Sequence, residues 1–155
     1  MSDRPVASVL IPVHDAADTL AEQLEALASQ HDAPAFEVIV ALNRCTDSSR
    51  DVALRFTDRL DLRIVVADDR PSAAHARNAA ARIARGDHLL FCDADDQVAP
   101  HWVARMVAPL VEGRADIVGG RIVVDRTGLP DSIYRVRYER FDGRCLHHAT
   151  SSLLY

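Results

Sequence analysis

The sequence predicts an α/β protein with a mostly parallel sheet covered by helices on both faces, and three observations carry that prediction. Four short runs rich in Val, Ile and Leu (Ala7 to Val13, Phe36 to Leu42, Leu62 to Ala67, His88 to Cys92) are apolar almost throughout. Strands covered on both faces read this way, whereas half-solvated strands alternate. The runs begin roughly every 26 to 29 residues, close to one βαβ unit. Segments of helical periodicity fill the gaps between them.

The first helix is expected over Asp18 to Ser29, with Leu20, Leu24 and Leu27 on one face and Asp18 as its cap. The second, Asp47 to Arg59, aligns Val52, Phe56 and Leu60, with Asp47 and Ser48 at its start. The third, Ser72 to Arg85, is rich in alanine and is expected to end at Gly86 in a left-handed cap. The fourth, Pro100 to Val111, turns Trp102, Met106 and Leu110 inward, with Pro109 kinking or ending it. Ala115 to Val124 then reads as a strand interrupted by Gly119-Gly120, followed by a turn at Thr127 to Pro130. Asp131 to Phe141 is ambiguous, with helix one option.

Composition narrows the function. The 155 residues are 48% hydrophobic and 26% charged, enough for one domain with a true core. A net charge of -5 without runs of like charge argues against a nucleic-acid surface. No lysine occurs, which excludes Schiff-base chemistry and a Walker-type phosphate lysine. Cys45, Cys92 and Cys145 form no CxxC pair, so neither a disulfide framework nor a zinc site is supported. A reducing cytosol is the expected compartment, with peripheral membrane association left open. No apolar stretch approaches the roughly 20 residues that span a bilayer.

Chemistry gathers where the strands end. Leu89 to Cys92 runs directly into Asp93-Ala94-Asp95-Asp96. In an open α/β sheet the carboxyl ends of the strands are where ligands bind, and carboxylates there suit a hard divalent cation shared with substrate phosphates. The other loops at this edge supply His14 and Asp15; Asn43, Arg44, Thr46 and Asp47; and Asp68 with Asp69. A plainer reading stays open for each: Asp18, Asp47 and Asp96 are also good helix caps, and Arg77 in the third helix is also able to extend to water.

The order Val9-Leu10-Ile11-Pro12-Val13, Asn43-Arg44-Cys45-Thr46-Asp47, Ala76-Arg77-Asn78, then Gly86-Asp87 leading to Asp93-Ala94-Asp95-Asp96 resembles the N-terminal nucleotide-sugar-binding half of family 2 glycosyltransferases with the GT-A fold. The resemblance runs from Ala7 to about Gly120 and implies a GT-A, Rossmann-like sheet in a single domain over residues 1–155, incomplete at its C-terminal end. It implies that Pro12, Val13, His14 and Asp15 line the nucleoside pocket and that Asn43 sits where a residue reads the base. It places Asp93 and Ala94 toward the ribose and diphosphate, with Asp93 and Asp95 as ligands of Mn²⁺ or Mg²⁺. Arg77 shapes the donor pocket, and Gly119-Gly120 borders the acceptor side. The implied activity is transfer of a sugar from a nucleotide diphosphate sugar to an acceptor hydroxyl, metal-dependent and inverting.

Two departures stand out. Leu42-Asn43 replaces the acidic pair of a VDDGSTD-like segment, which removes a charge from the base site. Ala149 to Tyr155 looks like the strand before the acceptor loop, so the catalytic base is expected beyond Tyr155, with Asp125, Asp131, Glu139 and Asp142 as weaker candidates. A non-catalytic nucleotide-sugar-binding or interaction module is the main alternative. A DxD phosphatase fits less well, since its acidic triplet ends the first strand and here it ends the fourth.

Overall fold

The computed structural model of the chain describes residues 4–125 and 135–140. Four strands, β1 (Ala7–Val13), β2 (Phe36–Leu42), β3 (Leu62–Val66) and β4 (His88–Phe91), form one sheet in the order β3-β2-β1-β4, and every pair in it is parallel. The first two strands match the expected boundaries, and the other two stop one residue early. β1 is flanked on both sides, which is why its apolar run is unbroken.

Alternate residues face opposite layers, the period-2 rule of a strand. Val9, Ile11 and Val13 join Val38, Val40 and Leu42 under α1 (Ala17–Ala28), α2 (Ser49–Leu54) and α4 (Trp102–Val111) in the larger core. On the other face Leu10, Ile39 and Ala41 meet Ala76 and Ala80 of α3 (Ala73–Ile83). The alanines of α3 carry little side-chain bulk, so this second core is thin.

Below it, at the amino end of the sheet, the same face turns polar. Glu37 is completely buried, and its carboxylate accepts from Ser8 Oγ at 2.7 Å, Arg85 N at 2.6 Å, Arg85 Nε at 2.9 Å and Arg63 Nη1 at 3.3 Å. Gly86 closes the cluster. Its N–H donates to Ser8 Oγ at 2.9 Å, and a Cβ there would lie 2.4 Å from the carbonyl carbon of Ala7.

Several expectations change. Gly86 is not a left-handed cap: α3 ends at Ile83 with Ala84 extended, and the glycine serves close approach to β1 instead. α2 is shorter than expected because the chain tightens after Leu54 into i→i−3 bonds, Arg55 N to Val52 O and Phe56 N to Ala53 O. Val52, Phe56 and Leu60 still point into the core. α4 starts at Trp102 and buries Trp102, Val103 and Val107, with Met106 only partly covered; Pro109 sits in its last turn, and the helix ends two residues later. Residues 115–120 are not strand. β6 (Arg121–Asp125) pairs antiparallel with β7 (Arg135–Arg140), and β7 pairs parallel with β5 (Gln97–Val98), so the ambiguous segment contributes a strand. The turn expected at 127–130 and the strand expected at 149–155 lie outside the described residues.

Pro12 sits in a central strand, normally an unfavourable place. Leu10 O accepts from Cys92 N of the β4 side, whereas Val13 O accepts from Asn43 N of the β2 side, so even-numbered residues of β1 face β4. β4 pairs with β1 only as far as Leu10. The missing N–H of Pro12 therefore falls just past the last rung, where the proline ends the ladder rather than breaking it in the middle.

Candidate functional site

The carboxyl ends of β1 to β4 carry four loops that lock onto one another. Asp15, at the left-handed φ of 44°, accepts from Thr46 N at 2.5 Å and Asp47 N at 3.2 Å. Those bonds, led by the one from Thr46, hold its carboxyl below the usual aspartate range. Asp47 returns the contact: its Oδ2 accepts from Ala17 N at 2.8 Å, while Ser49 Oγ accepts from Ala16 N at 2.9 Å. The amino end of α1 is thus capped from the next loop, and Asp18, exposed in the first turn, is not its cap. Asp47 also accepts from Ser49 N and Oγ. Burial pushes its carboxyl up, but these hydrogen bonds together bring it below the ordinary value.

Asp15, Cys45 and Asp47 offer three ligand atoms within 4.8 Å of one another. The two carboxylates are taken up by backbone amides, and Cys45 Sγ donates to Val13 O at 3.3 Å with its thiol pushed up by burial. The cluster accordingly serves as a brace between two loops.

The acidic triplet is arranged differently. Asp96 is buried, and its Oδ2 accepts from Asp93 N at 3.1 Å while its own N–H donates to Asp93 O at 3.3 Å. It closes the turn; it does not cap α4, whose N-cap is His101. Ala94 is buried. Asp93, with its side chain half exposed, pairs with Arg77, whose side chain is 16% exposed. Asp95 is exposed and has no hydrogen-bond or ion-pair partner among the described residues. The loop therefore presents Asp95 outward, Asp93 held beside it by a cation, and Asp96 folded inward.

Of the other expected residues, Val13 is in the core, Pro12 is partly covered, and His14 is exposed with its Nδ1 2.8 Å from Asn43 O. Asn43 is buried against residues 67–72. Asp125 lies in β6 and Glu139 in β7, while Asp131 and Asp142 lie outside the described residues.

Sequence reasoning missed Gln23. This residue of α1 is completely buried; its Nε2 donates to Asp93 O at 3.2 Å and its Oε1 accepts from Val98 N at 3.1 Å, spanning the acidic loop. Gln30, one heptad on, does the same for Ala99 O at 2.8 Å and Val103 N at 2.9 Å. The signal was present: a glutamine within the stripe Leu20, Leu24, Leu27 is a polar group at a core position, and such groups are bonded. Gln23→Leu should cost about 1–3 kcal/mol, since it takes the acceptor from the buried Val98 N–H and leaves Asp93 O only its bond from Asp96 N. Urea denaturation checks this, and an unchanged midpoint would show that the splint is dispensable.

Fold and site together define an open, parallel-sheet α/β protein, with carboxylates beside the point where the strand order reverses between β1 and β4. The family model described as Glycosyl transferase family 2 matches residues 8–149, and the chain belongs to that family. It is 31% identical over 123 residues to the glycosyltransferase AglE of Haloferax volcanii, covering 78% of this chain and 40% of AglE. Among solved structures, Staphylococcus aureus TarS 1–349 in complex with UDP superposes with a TM-score of 0.71 at 27% identity, over 81% of this chain and 38% of that one. The mannosyltransferase PcManGT of Pyrobaculum calidifontis, in complex with GDP-Man and Mn²⁺, gives a TM-score of 0.61 at 29% identity, over 77% of this chain and 35% of that one. The fold is GT-A. The chain spans well under half the length of each of these relatives. Among the described residues, no helix is long and apolar enough to cross a membrane.

Proposed function

We propose that this chain binds the donor in a glycosyltransferase that moves a sugar from a nucleotide diphosphate sugar to an acceptor hydroxyl, with inversion and with Mn²⁺ or Mg²⁺. The observation that carries the reading is Asp95, an exposed carboxylate without a partner among the described residues, set beside Asp93 on a loop pinned by Asp96 and Gln23. A side chain held ready in this way has no structural task of its own. The donor set fits the cation: it is all carboxylate oxygen, as hard divalent ions prefer, and the neighbouring Cys92 thiol is buried and kept protonated.

When bound, such a cation acts as a Lewis acid toward the departing diphosphate. Asp95 would be its main ligand and Asp93 the second. Arg77 keeps Asp93 oriented and sets a fixed positive charge near the phosphates. Pro12, His14 and Asp15 would form the nucleoside side, with Val13 behind them in the core rather than in the pocket; UDP and GDP-Man are the nucleotides held by two similar structures. The test is calorimetry of UDP and of GDP against this chain, with Mn²⁺ and then with EDTA. Affinity should rise at least about tenfold with metal, the effect of roughly 1.4 kcal/mol. Equal affinity in both conditions would overturn the metal role.

A further inference from the structure

Asn43 lies one residue past β2, and every polar group it owns is engaged. Its N–H donates to Val13 O at 2.8 Å, and its C=O faces His14 Nδ1 at 2.8 Å. Its side-chain Nδ2 donates to both Ala67 O and Arg70 O, the latter at 2.7 Å, and its Oδ1 accepts from Ser72 N at 3.0 Å. An asparagine amide has two N–H donors, and both are used. The residue is 5% exposed. A base approaching this position meets the loop over Asn43 rather than its amide.

The partners also explain the residue type. Ala67 O and Arg70 O accept and never donate, so the position demands two donors from one side chain. An aspartate would set a carboxylate against two carbonyl oxygens. Arg44 adds a second tie to the same loop: its N–H donates to Asp68 Oδ1 at 2.6 Å and its Nε to Asp68 O at 3.1 Å. Ser72, at the far end, caps α3 by accepting from His75 N at 3.4 Å. The stretch from the end of β3 to the start of α3 is thereby held at four points, with Asp68, Asp69 and Arg70 exposed.

We propose that Asn43 is a positioning residue: it holds residues 67–72 in place, and that loop, not the asparagine side chain, contacts the nucleotide base. The proposal rests on the donor-site reading above. Asn43→Asp is the sharp variant, and Asn43→Ala, which adds no charge, stands in if the first fails to fold.

Two measurements test it. The first is amide hydrogen exchange in the ligand-free chain, where exchange over residues 67–72 should accelerate about tenfold or more on losing two hydrogen bonds of roughly 1 kcal/mol each. The second is affinity, with Mn²⁺, for the uridine, guanosine, thymidine and adenosine diphosphates and for inorganic diphosphate. The four nucleotides should weaken by a common factor of roughly tenfold with their order kept, while inorganic diphosphate stays within about twofold. A changed base order would overturn the proposal by showing that Asn43 reads the base. An equal loss for inorganic diphosphate would reduce the residue to general stability, and unchanged exchange would overturn the clamp. A parent chain that binds none of the four nucleotides would overturn the donor-site reading itself, and the exchange result would still decide the clamp.

Discussion

Asp95→Ala should lose metal-dependent nucleotide binding by about tenfold or more while melting within about 2 °C of the parent chain. Both halves follow from the position of the side chain. It is exposed and has no hydrogen-bond or ion-pair partner among the described residues, so its removal leaves no unpaired group there, and such surface changes are usually within about 0.5 kcal/mol. The loss of binding follows from a charged oxygen ligand taken from a hard cation, an interaction of at least the strength of a charge-assisted hydrogen bond, about 1.5–3 kcal/mol. Asp93→Ala is the informative contrast. It removes the second proposed ligand but also strips Arg77, 16% exposed, of its ion-pair partner, so binding and melting temperature should fall together. Calorimetry with Mn²⁺ and a thermal melt of each variant separate the two outcomes. If Asp95→Ala unfolds, the carboxylate is structural and the donor reading loses its support.

Glu37→Ala should be the most destabilising single change considered, about 3 kcal/mol, from the hydrogen bonds lost at a completely buried site whose arginine partners are themselves more than a third exposed. The carboxylate is completely buried and accepts from Ser8, from the amide and guanidinium of Arg85, and from Arg63, so truncation removes one acceptor from all of them at once, leaving Arg85 its pair with Asp61 and Arg63 its bond to Ile83 O. Glu37→Gln keeps an acceptor for Ser8 and the Arg85 amide and should cost less. The charge also makes stability depend on pH. Burial is the largest single influence and pushes the Glu37 carboxyl up, but the bonds from Ser8, Arg85 and Arg63 together outweigh it, and the group stays below its ordinary value. A folded pKa below the unfolded one means that the stabilisation is complete above about 4.3, the unfolded glutamate value, and drains away as pH falls through the folded pKa. Asp15, Asp47 and Glu25 are shifted in the same direction and reinforce the trend. Melting curves between pH 7 and 3 should therefore fall less steeply for Glu37→Gln than for the parent chain. Parallel curves would refute this assignment of the acid sensitivity.

What the sequence made legible divides by distance along the chain. β1 and β2 were readable to the residue because a strand covered on both faces must be apolar throughout, a property of each residue by itself. The place of the acidic triplet, in the loop just past β4, was readable from the abrupt end of the apolar run, whereas the inward, turn-closing role of Asp96 was not. The tasks of Asp15, Asn43 and Asp47 were not readable, since each spends its side chain on a backbone amide or carbonyl 24 to 32 residues away. A residue type announces that a hydrogen bond will be made, not where its partner will stand. Gln23, whose partners are 70 and 75 residues away, is the extreme case. Gly86 misled for a related reason: its position after a helix suggested a local turn, whereas the crowding it relieves comes from β1.

The proline near the end of β1 has a consequence for how the sheet opens. β1 and β4 are paired like the two sides of a zipper, and Pro12 has no tooth on the side that faces β4. However the loop after Phe91 shifts, the closure cannot run past that point, because no donor exists to form the next rung. The two strands are obliged to part there, with β1 going on toward Asn43 and the chain after β4 turning away into Asp93 and Asp95. A single ring closure in the backbone thus removes the bond that would carry the seam further, and the carboxylates follow just past its end.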